Sequence, residues 1–306
     1  MPRILAVIVT YQPDGDLLAR LVDALAPQVS AGIVVNNGTL LPLTDGYLQQ
    51  VNFVARHLQT NTGVATGLNV GFEWAEAQGA DFVITFDQDS EPAPDMVACL
   101  LAAYLELVTS GHKVGAVGPQ QVDRRTGRRA PFLAPISRHR RRVTPDAGQS
   151  VEVDHLITSG CMVPIPVWKD VGSFLDDLFI DYVDIEWSLR MRHLEWQLFG
   201  VGGATLTHSI GDDVAQWWGW QFPWHSPKRH YFIFRNGTYL QKLPHVSVGW
   251  KLFDALQLAK KLVIFTLVGR PRSAHLRAML RGMRDGWRGR LGAFTRPAGV
   301  AKPERN

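Results

Sequence analysis

The sequence has little of three features that mark large classes of protein. Only two cysteines occur, Cys99 and Cys161, and their wide separation indicates neither a disulfide framework nor a zinc site. No run of about 18 uncharged apolar residues is present, so we expect no membrane-spanning helix. Lys and Arg (32) exceed Asp and Glu (28) by only 4, which is too small an excess to indicate a nucleic-acid-binding protein.

We expect no secretory leader, and the common nucleotide-binding motifs are missing. Met1-Pro2-Arg3 leads directly into a short apolar segment, without the longer hydrophobic region and cleavage site of a secretory signal. Neither Gly-x-Gly-x-x-Gly nor a Walker pattern occurs, which argues against a Rossmann dehydrogenase or a P-loop ATPase. Together with the few cysteines, these absences favour a cytoplasmic protein.

What the sequence does contain is an alternation of strand-like and helix-like segments. Short β-branched apolar runs alternate with segments whose apolar residues recur at helical spacing. The predicted strands are 4–10, 32–35, 53–58, 81–86 and 114–117, and the predicted helices are 14–29, 64–77 and 95–109. This order predicts an α/β fold with a mostly parallel sheet covered by helices on both faces.

The second half of the chain is more basic and ends in helices. Residues 124–142 carry eight arginines and no acid, and we expect a long basic loop there. Beyond it we predict strands at 151–158, 197–201 and 204–208, a helix within 180–194, and helical structure from residue 228 onward.

Polar residues follow four of the predicted strands. Because parallel strands end at the same edge of a sheet, where ligands of such folds bind, these residues are expected to form one rim. They are Thr10-Tyr11, Asn36-Asn37-Gly38, the segment 61–69 and Asp87-Gln88-Asp89.

Two parts of this rim have the chemistry of a phosphate or metal site. Asp87 and Asp89 could hold Mg²⁺ or Mn²⁺ through carboxylate oxygens, or could form only a turn with a helix cap. Residues 61–71 include small side chains at a helix start, which permit close backbone approach to an anion. An ordinary glycine-containing turn is the alternative.

Six motifs together resemble the inverting glycosyltransferases of family 2, and more closely their bacterial rhamnosyltransferase members. The resemblance covers about residues 4–240 and implies the GT-A fold, a Rossmann-like mixed sheet with flanking helices, followed here by a C-terminal helical extension. Its motifs are Val9-Thr10-Tyr11-Gln12-Pro13, Val34-Val35-Asn36-Asn37-Gly38, Asn61-Thr62-Gly63-Val64-Ala65 with Asn69, Phe86-Asp87-Gln88-Asp89-Ser90, Thr158-Ser159-Gly160, and the segment Phe179-Ile180-Asp181-Tyr182-Val183-Asp184-Ile185-Glu186-Trp187-Ser188-Leu189-Arg190.

The resemblance implies three sets of binding residues. The nucleotide-sugar set is Thr10, Tyr11, Asn36, Asn37, Asn61, Gly63, Asn69, Asp87 and Gln88. The metal set is Asp87, Asp89 and His208, although His208 could equally be a strand-end histidine bound to backbone. The set for the acceptor or the donor sugar is Ser159, Gly160, Glu186, Trp187 and Arg190.

Asp184 corresponds to the catalytic base of that family, which takes the proton of the acceptor hydroxyl. We expect Asp184 near a helix N-terminus, where the helix dipole and free N–H groups hold a carboxylate ionised. The alternative is that Asp181 and Asp184 only cap the helix.

Two positions depart from the family pattern. Asn36 stands where members usually carry Asp, which bears on base or ribose recognition, and Val183 stands where many have Glu. The second departure is common among the rhamnosyltransferase-like members.

The C-terminal region carries aromatic and basic residues outside these motifs. The aromatic cluster Trp217, Trp218, Trp220, Phe222 and Trp224 could close the core, stack on a sugar or meet lipid. We predict a charged amphipathic helix at residues 250–268, before the arginine-rich stretch 270–296. This pattern indicates an interfacial helix attracted to an anionic membrane surface; the alternatives are packing on the catalytic domain or on a second subunit of a homodimer.

The resemblance implies a metal-dependent enzyme that moves L-rhamnose from dTDP-rhamnose onto a hydroxyl of a lipid-linked or polysaccharide acceptor, as in lipopolysaccharide synthesis. The alternatives are a family-2 transferase that uses a UDP-sugar and a non-catalytic nucleotide-sugar-binding or scaffold protein. Intact Asp87, Asp89 and Asp184 favour the enzyme. We predict a catalytic domain at 1–240, a basic helical extension at 241–296 and a frayed tail at 297–306. The expected location is peripheral, on the cytoplasmic face of the bacterial inner membrane, with no nucleic-acid partner.

Overall fold

The computed structural model describes residues 2–135, 142–208, 213–217, 220–268 and 271–294, with the side chains of all of these except 208, 213–217, 220–224 and 268. The strands are β1 (Ile4–Thr10), β2 (Ala31–Asn36), β3 (Phe53–His57), β4 (Phe82–Asp87), β5 (Glu91–Pro92), β6 (Val114–Asp123), β7 (Phe132–Leu133), β8 (Arg142–Val143), β9 (Ser150–Val153), β10 (Met162–Pro164), β11 (Gln197–His208), β12 (Asp213–Trp217) and β13 (Trp220–Trp224). The helices are α1 (Gly15–Leu25), α2 (Asp45–Gln50), α3 (Val64–Ala77), α4 (Met96–Thr109), α5 (Ile165–Val171), α6 (Val183–His193), α7 (Pro227–Leu240), α8 (Val248–Val268) and α9 (Arg272–Trp287).

One mixed sheet organises the described residues. Its strand order is β3-β2-β1-β4-β10-β6-β11-β5, with β9 beside β11. The pairs among β1, β2, β3 and β4 are parallel, as is β6 with β11, whereas β10 runs antiparallel between β4 and β6. The predicted α/β class with a mostly parallel sheet is confirmed. Parallel β1, β2 and β4 bring Thr10, Asn36 and Asp87 to one edge.

The central strands are apolar because both faces of the sheet are covered. All of β1 except half-buried Val9 is buried, and alternate residues enter separate cores on the two faces of the sheet. Leu5 and Val7 pack under α3, while Ile4, Ala6 and Ile8 pack under α1 and α4. A rigid two-sided core therefore supports the strand ends.

The helices α7, α8 and α9 form a further packed layer. Their shared apolar cluster also includes Tyr182 and Leu189 from the segment around α6. Gly282 and Gly286 of α9 permit close approach to α7, since an added Cβ would lie 2.4 Å from the Tyr231 oxygen and 2.1 Å from the Arg235 oxygen respectively. The layer thus packs directly onto the segment that carries Asp184. The domain division stays a prediction, and the tail 297–306 lies outside the described residues.

Within the described part of the chain, no helix combines the length and apolar character needed to cross a bilayer.

A buried histidine pair between α7 and α9 leads to a testable pH dependence. Nδ1 of His230 lies 2.8 Å from Nδ1 of His275, so one ring donates to the other. Burial, followed by the charges of His275, His225 and Lys261, lowers the pKa of His230 to about 3. Because this pKa lies below the unfolded value of about 6.5, the folded state is not penalised by His230 above pH 6.5. As the pH falls below 6.5, the unfolded state takes up the proton more readily, and the protein loses stability. We expect this group to lower the free energy of unfolding by about 1 kcal/mol between pH 6.5 and 5.5, measured by urea denaturation.

The variant His230→Gln should show a shallower loss of stability over that pH range, whereas exposed His112→Gln should retain the wild-type slope. An unchanged slope in His230→Gln would show that His230 does not cause the loss.

Candidate active site

Two buried polar residues close the sheet edge beneath the site. Thr10 and Asn36 have no exposed area, and the Thr10 hydroxyl donates to Oδ1 of Asn36 across 3.4 Å. The Asn36 amide is also 3.2 Å from Nδ1 of His57. The side chains of Thr10 and Asn36 therefore lie beneath the surface of the rim and are not exposed to a ligand.

Tyr11 and Gln88 lie above this layer. The Tyr11 side chain is 47% exposed, and its backbone N–H donates to Oε1 of Gln88 across 2.7 Å. This bond fixes the end of β1 against the turn after β4. The exposed phenol ring of Tyr11 is therefore accessible for stacking on a nucleotide base.

Asn37 organises the loop that begins α3. Its amide donates to Oδ1 of Asn61 and to the Gly63 carbonyl, and its Oδ1 accepts from the N–H and hydroxyl of Thr62. Gly63 has φ +96°, and a Cβ there would lie 2.6 Å from the Phe179 carbonyl oxygen. The next N–H, of Val64, donates to that oxygen across 2.7 Å. The loop 61–63 is thus held against the segment that precedes α6.

Asn69 lies on the other side of α3. Its buried amide donates to the Phe174 carbonyl and to Asp176, and its Oδ1 accepts from the Phe174 N–H. Its polar atoms therefore bind the segment 174–176, a positioning role that the sequence did not reveal.

Asp87, Gln88 and Asp89 form the turn after β4, and all three are partly exposed. The Asp87 N–H donates to Oγ of Ser159, which lies 2.5 Å from Oγ of Ser90. Ser159, predicted to meet a sugar, is fully buried and instead supports this acidic turn. Gly160, next to it, has φ +82° and donates its N–H to the Thr85 carbonyl.

Arg124 is a cation near this turn whose placement the sequence did not reveal. Its guanidinium donates to the Asp89 carbonyl across 3.3 Å and lies 3.2 Å from the Glu91 carboxylate. In the sequence, Arg124 is only the first of eight arginines in the segment 124–142, which was expected to form a basic loop. A diphosphate bound at the turn would have this positive charge nearby.

Asp184 lies in the first turn of α6, as expected, and its Oδ1 accepts from the Ile185 N–H across 2.8 Å. Backbone N–H groups at the helix start favour the ionised form, as expected, but burial has the larger, opposite effect. Burial raises the pKa of Asp184 to about 6, its backbone hydrogen bonds oppose that rise, and the charges of Asp87 and Asp181 add to it. Above that pH the group is mostly ionised and able to accept a proton. Asp184 also lines a small cavity together with Thr85 and Thr158, which places it beside the strand that leads to Asp87.

The segment before α6 has an unusual backbone. Phe179, Asp181 and Tyr182 all have φ between +60° and +66°, a region that side chains disfavour and that is frequent at functional sites. Tyr182 is the N-terminal flanking residue of α6 and makes no side-chain cap hydrogen bond. This backbone must be held by contacts from elsewhere.

Those contacts come from the C-terminal helices. The Asn236 amide donates to the carbonyls of Leu178, Ile180 and Asp181. Arg235, fully buried, donates to the carbonyls of Asp177, Leu178 and Gly292. We call residues 176–182 the base loop and Arg235 with Asn236 the loop clamp. The Arg235 guanidinium is thus hydrogen-bonded within the protein.

Helix α8 also contacts the base loop. The Tyr182 hydroxyl donates to Oδ1 of Asp254 across 2.7 Å, and Gln241 donates to Oδ2 of the same carboxylate. Asp181 in turn accepts from Nε of Arg229 on α7 across 3.2 Å.

The remaining predicted sugar-site residues lie on α6 and are hydrogen-bonded within the protein. Glu186 is fully buried, accepts two hydrogen bonds from Arg190 and lies 2.9 Å from Nε2 of His245. Trp187 is buried and donates to the Gly172 carbonyl. These contacts favour roles in fixing α6 over direct contact with a sugar.

The carboxylates of the turn suit a hard divalent cation. No group of three or more His, Cys, Asp or Glu side chains in the described part of the chain could hold a metal ion. However, Mg²⁺ and Mn²⁺ are commonly held by one or two carboxylates together with phosphate oxygens of the substrate. Asp87 and Asp89 fit that pattern. The side chains of His208 and of the aromatic cluster at 217–224 lie outside the described residues.

Comparisons with solved structures define the class of the fold. The chain superposes on GalNAc-T7, solved with UDP, GalNAc and Mn²⁺, at TM-score 0.55 and 14% identity, covering 88% of this chain and 58% of that one. It superposes on residues 1–349 of S. aureus TarS with UDP at TM-score 0.51 and 15% identity, covering 88% and 73%. The fold is that of the GT-A glycosyltransferases, as predicted.

Sequence comparison gives the family. Residues 6–158 match the model of glycosyl transferase family 2. The chain is 31% identical over 271 residues to the dTDP-rhamnosyl transferase RfbF of Shigella flexneri, covering 87% of this chain and 86% of the relative. The chain belongs to glycosyl transferase family 2 and is a glycosyltransferase.

Proposed function

We propose that the protein transfers L-rhamnose from dTDP-rhamnose, with inversion, onto a hydroxyl group of a glycan or lipid-linked glycan. The observation that supports the proposal is the small cavity that Asp184 lines together with Thr85, two residues before Asp87 on β4, and Thr158, the neighbour of Ser159. The proposed base would then lie beside the strand that ends at the proposed diphosphate site. The choice of donor is supported by the 31% identity to a dTDP-rhamnosyl transferase across most of both chains.

The proposed reaction is one displacement at the anomeric carbon. Asp184 takes the proton of the acceptor hydroxyl while that oxygen forms a bond to the anomeric carbon. The bond from this carbon to the diphosphate oxygen breaks, and its electron pair leaves with the nucleoside diphosphate. Attack opposite the leaving group inverts the anomeric configuration.

The acidic turn would serve the leaving group. Asp87 and Asp89 would hold Mg²⁺ or Mn²⁺, which when bound supplies positive charge that stabilises the departing diphosphate. Tyr11 and the loop 61–63 would bind the nucleotide, with Asn37 positioning that loop. Thr10 and Asn36, which are fully buried, would support this surface without contacting the nucleotide.

We also propose that the enzyme works at the cytoplasmic face of the bacterial inner membrane. The support is the basic character of the C-terminal helices, which suits an anionic surface and a lipid-linked acceptor.

A thermal-shift panel tests the donor. A ligand that binds only the native state stabilises it by about 2.7 kcal/mol at a hundred times its Kd. We expect the protein to be stabilised by dTDP in the presence of Mn²⁺, and much less by UDP, GDP or CMP. A shift with UDP instead would replace the proposed donor, and no shift with any nucleotide would favour a non-catalytic protein.

The same assay separates the metal site from the base. Asp89→Ala should lose the Mn²⁺-dependent shift because the cation loses a carboxylate ligand, whereas Asp184→Asn should keep it. Equal loss in both variants would show that the two roles are misassigned. Exposed Asp16→Asn, on α1, is the control for loss of a carboxylate elsewhere.

A further inference from the structure

Helix α8 exposes an apolar face that no described part of the chain covers. Five large apolar side chains on this helix are between 54% and 71% exposed. They are Val248, Leu252, Leu256, Val263 and Leu267. Their spacing places them on one side of the helix, which we call the α8 face. Monomeric proteins rarely expose so many apolar side chains together, and such patches mark sites of interaction.

The charges of α8 are arranged around this face. Lys251 and Lys260 lie at its two edges by helical geometry. The single acid of the helix, Asp254, lies on the opposite side, is buried and binds Tyr182 and Gln241. The exposed side of α8 is thus apolar with basic edges.

Helix α9 repeats the arrangement. Leu280, Met283 and Trp287 are 50%, 38% and 69% exposed at positions three and four residues apart. Six arginines occur in residues 272–290, and the one acid among them, Asp285, is buried against Tyr231, Arg281 and Arg284. Both helices therefore present apolar and cationic groups outward and turn their acids inward.

We propose that the α8 face and the exposed stripe of α9 dock on the surface of an anionic lipid bilayer. Apolar side chains enter the boundary between headgroups and acyl chains, while Lys and Arg attract anionic headgroups. Trp287 suits that depth because its indole combines apolar area with one hydrogen-bond donor. This inference rests on the proposed function and names the residues that would make the membrane contact.

The basic edges of the α8 face disfavour binding of a second copy of the chain there. Two α8 faces paired with each other would bring basic edges together, and the exposed sides of these helices offer no acid as a partner. Like charges in such a contact oppose association. An anionic bilayer complements both the apolar and the cationic groups.

Vesicle sedimentation with the full chain tests the proposal. We expect binding to phosphatidylcholine vesicles that contain phosphatidylglycerol, and little binding to phosphatidylcholine alone. The triple variant Leu252→Ser, Leu256→Ser and Val263→Ser should bind at least about tenfold more weakly, because three apolar groups no longer enter the bilayer. Arg277→Gln should weaken binding by about fivefold, and more strongly at low salt.

Matched controls keep the test specific. Leu105→Ser and Val108→Ser alter exposed apolar residues of α4, and Arg128→Gln alters an exposed arginine of the basic loop. These variants should bind vesicles as the wild type does. Circular dichroism and the nucleotide thermal shift, measured on every variant, show whether the fold and the donor site persist.

The proposal would be overturned by no binding to anionic vesicles, by unchanged binding of the triple variant or by equal loss in the α4 controls. Release by inorganic phosphate at constant ionic strength would overturn it as well. A dimer in sedimentation velocity that the triple variant dissociates would assign the α8 face to a second copy. Failure of nucleotide binding with intact vesicle binding would count against the proposed function alone.

Discussion

Replacing Asp184 by asparagine is expected to lower the rate of sugar transfer by about 10²- to 10⁴-fold while nucleotide binding persists. The amide keeps the size of the carboxylate and can still accept from the Ile185 N–H, but it cannot take the acceptor proton. Transfer is measured as nucleoside diphosphate released in the presence of acceptor, and binding by thermal shift. A loss of both would indicate that Asp184 holds the donor or the fold.

Asp181→Asn is the matched control for this prediction. Asp181 is a neighbouring carboxylate, but it accepts from Arg229 and precedes the helix. We expect its replacement to lower the rate far less than Asp184→Asn. If the two variants lost activity equally, the general base would not be assigned to Asp184.

Replacing Arg235 by alanine is expected to lower the free energy of unfolding by about 3–5 kcal/mol. The guanidinium is fully buried, and its removal leaves the carbonyls of Asp177, Leu178 and Gly292 without these donors. Urea denaturation measures the change. Arg235→Lys should recover only part of it, because an ammonium cannot reproduce the planar fork of donors.

Exposed Arg277→Ala, on α9, is the control and should change stability by no more than about 0.5 kcal/mol. A loss below about 1 kcal/mol in Arg235→Ala would mean that the base loop is held by other contacts. Asn236→Ala then tests the other half of the loop clamp.

Elements with a strong local pattern could be predicted to the residue. The strand Ile4–Thr10 and the helix Val64–Ala77 have the predicted bounds. The first is a continuous run rich in β-branched residues, and the second follows a glycine and has apolar residues at helical spacing. Both signals lie within the element itself, so no tertiary information is needed.

Elements set by distant contacts were predicted less well. The central strand Met162–Pro164 was not predicted, since three residues carry no periodicity and a proline argues against a central strand. The helix expected within 180–194 is confirmed as Val183–His193, although its start could not be predicted because it follows the positive φ values of the base loop. The strand predicted at 151–158 ends at Val153, and the two predicted at 197–201 and 204–208 are one strand with an irregularity between them.

In the candidate site, too, features encoded by local pattern could be predicted, whereas those set by distant contacts could not. The gathering of Asn36, Asn37 and Asp87 at one edge follows from the strand pattern, because parallel strands end together. The loop clamp could not be predicted, since its hydrogen bonds join residues 55 to 58 positions apart. Nor does sequence reveal whether an asparagine faces a ligand or, like Asn69, binds its own backbone neighbours.

The hydrogen bond from the Val64 N–H to the Phe179 carbonyl has a thermodynamic consequence for the whole site. It joins the start of α3 to the base loop, at a place where Gly63 leaves no room for a side chain. The proposed donor-binding loop and the segment leading to the base are therefore linked backbone to backbone before any substrate arrives. Such preorganisation spares the entropy cost of assembling the two halves during binding, so that the substrates, rather than the protein, lose most freedom as the transition state forms.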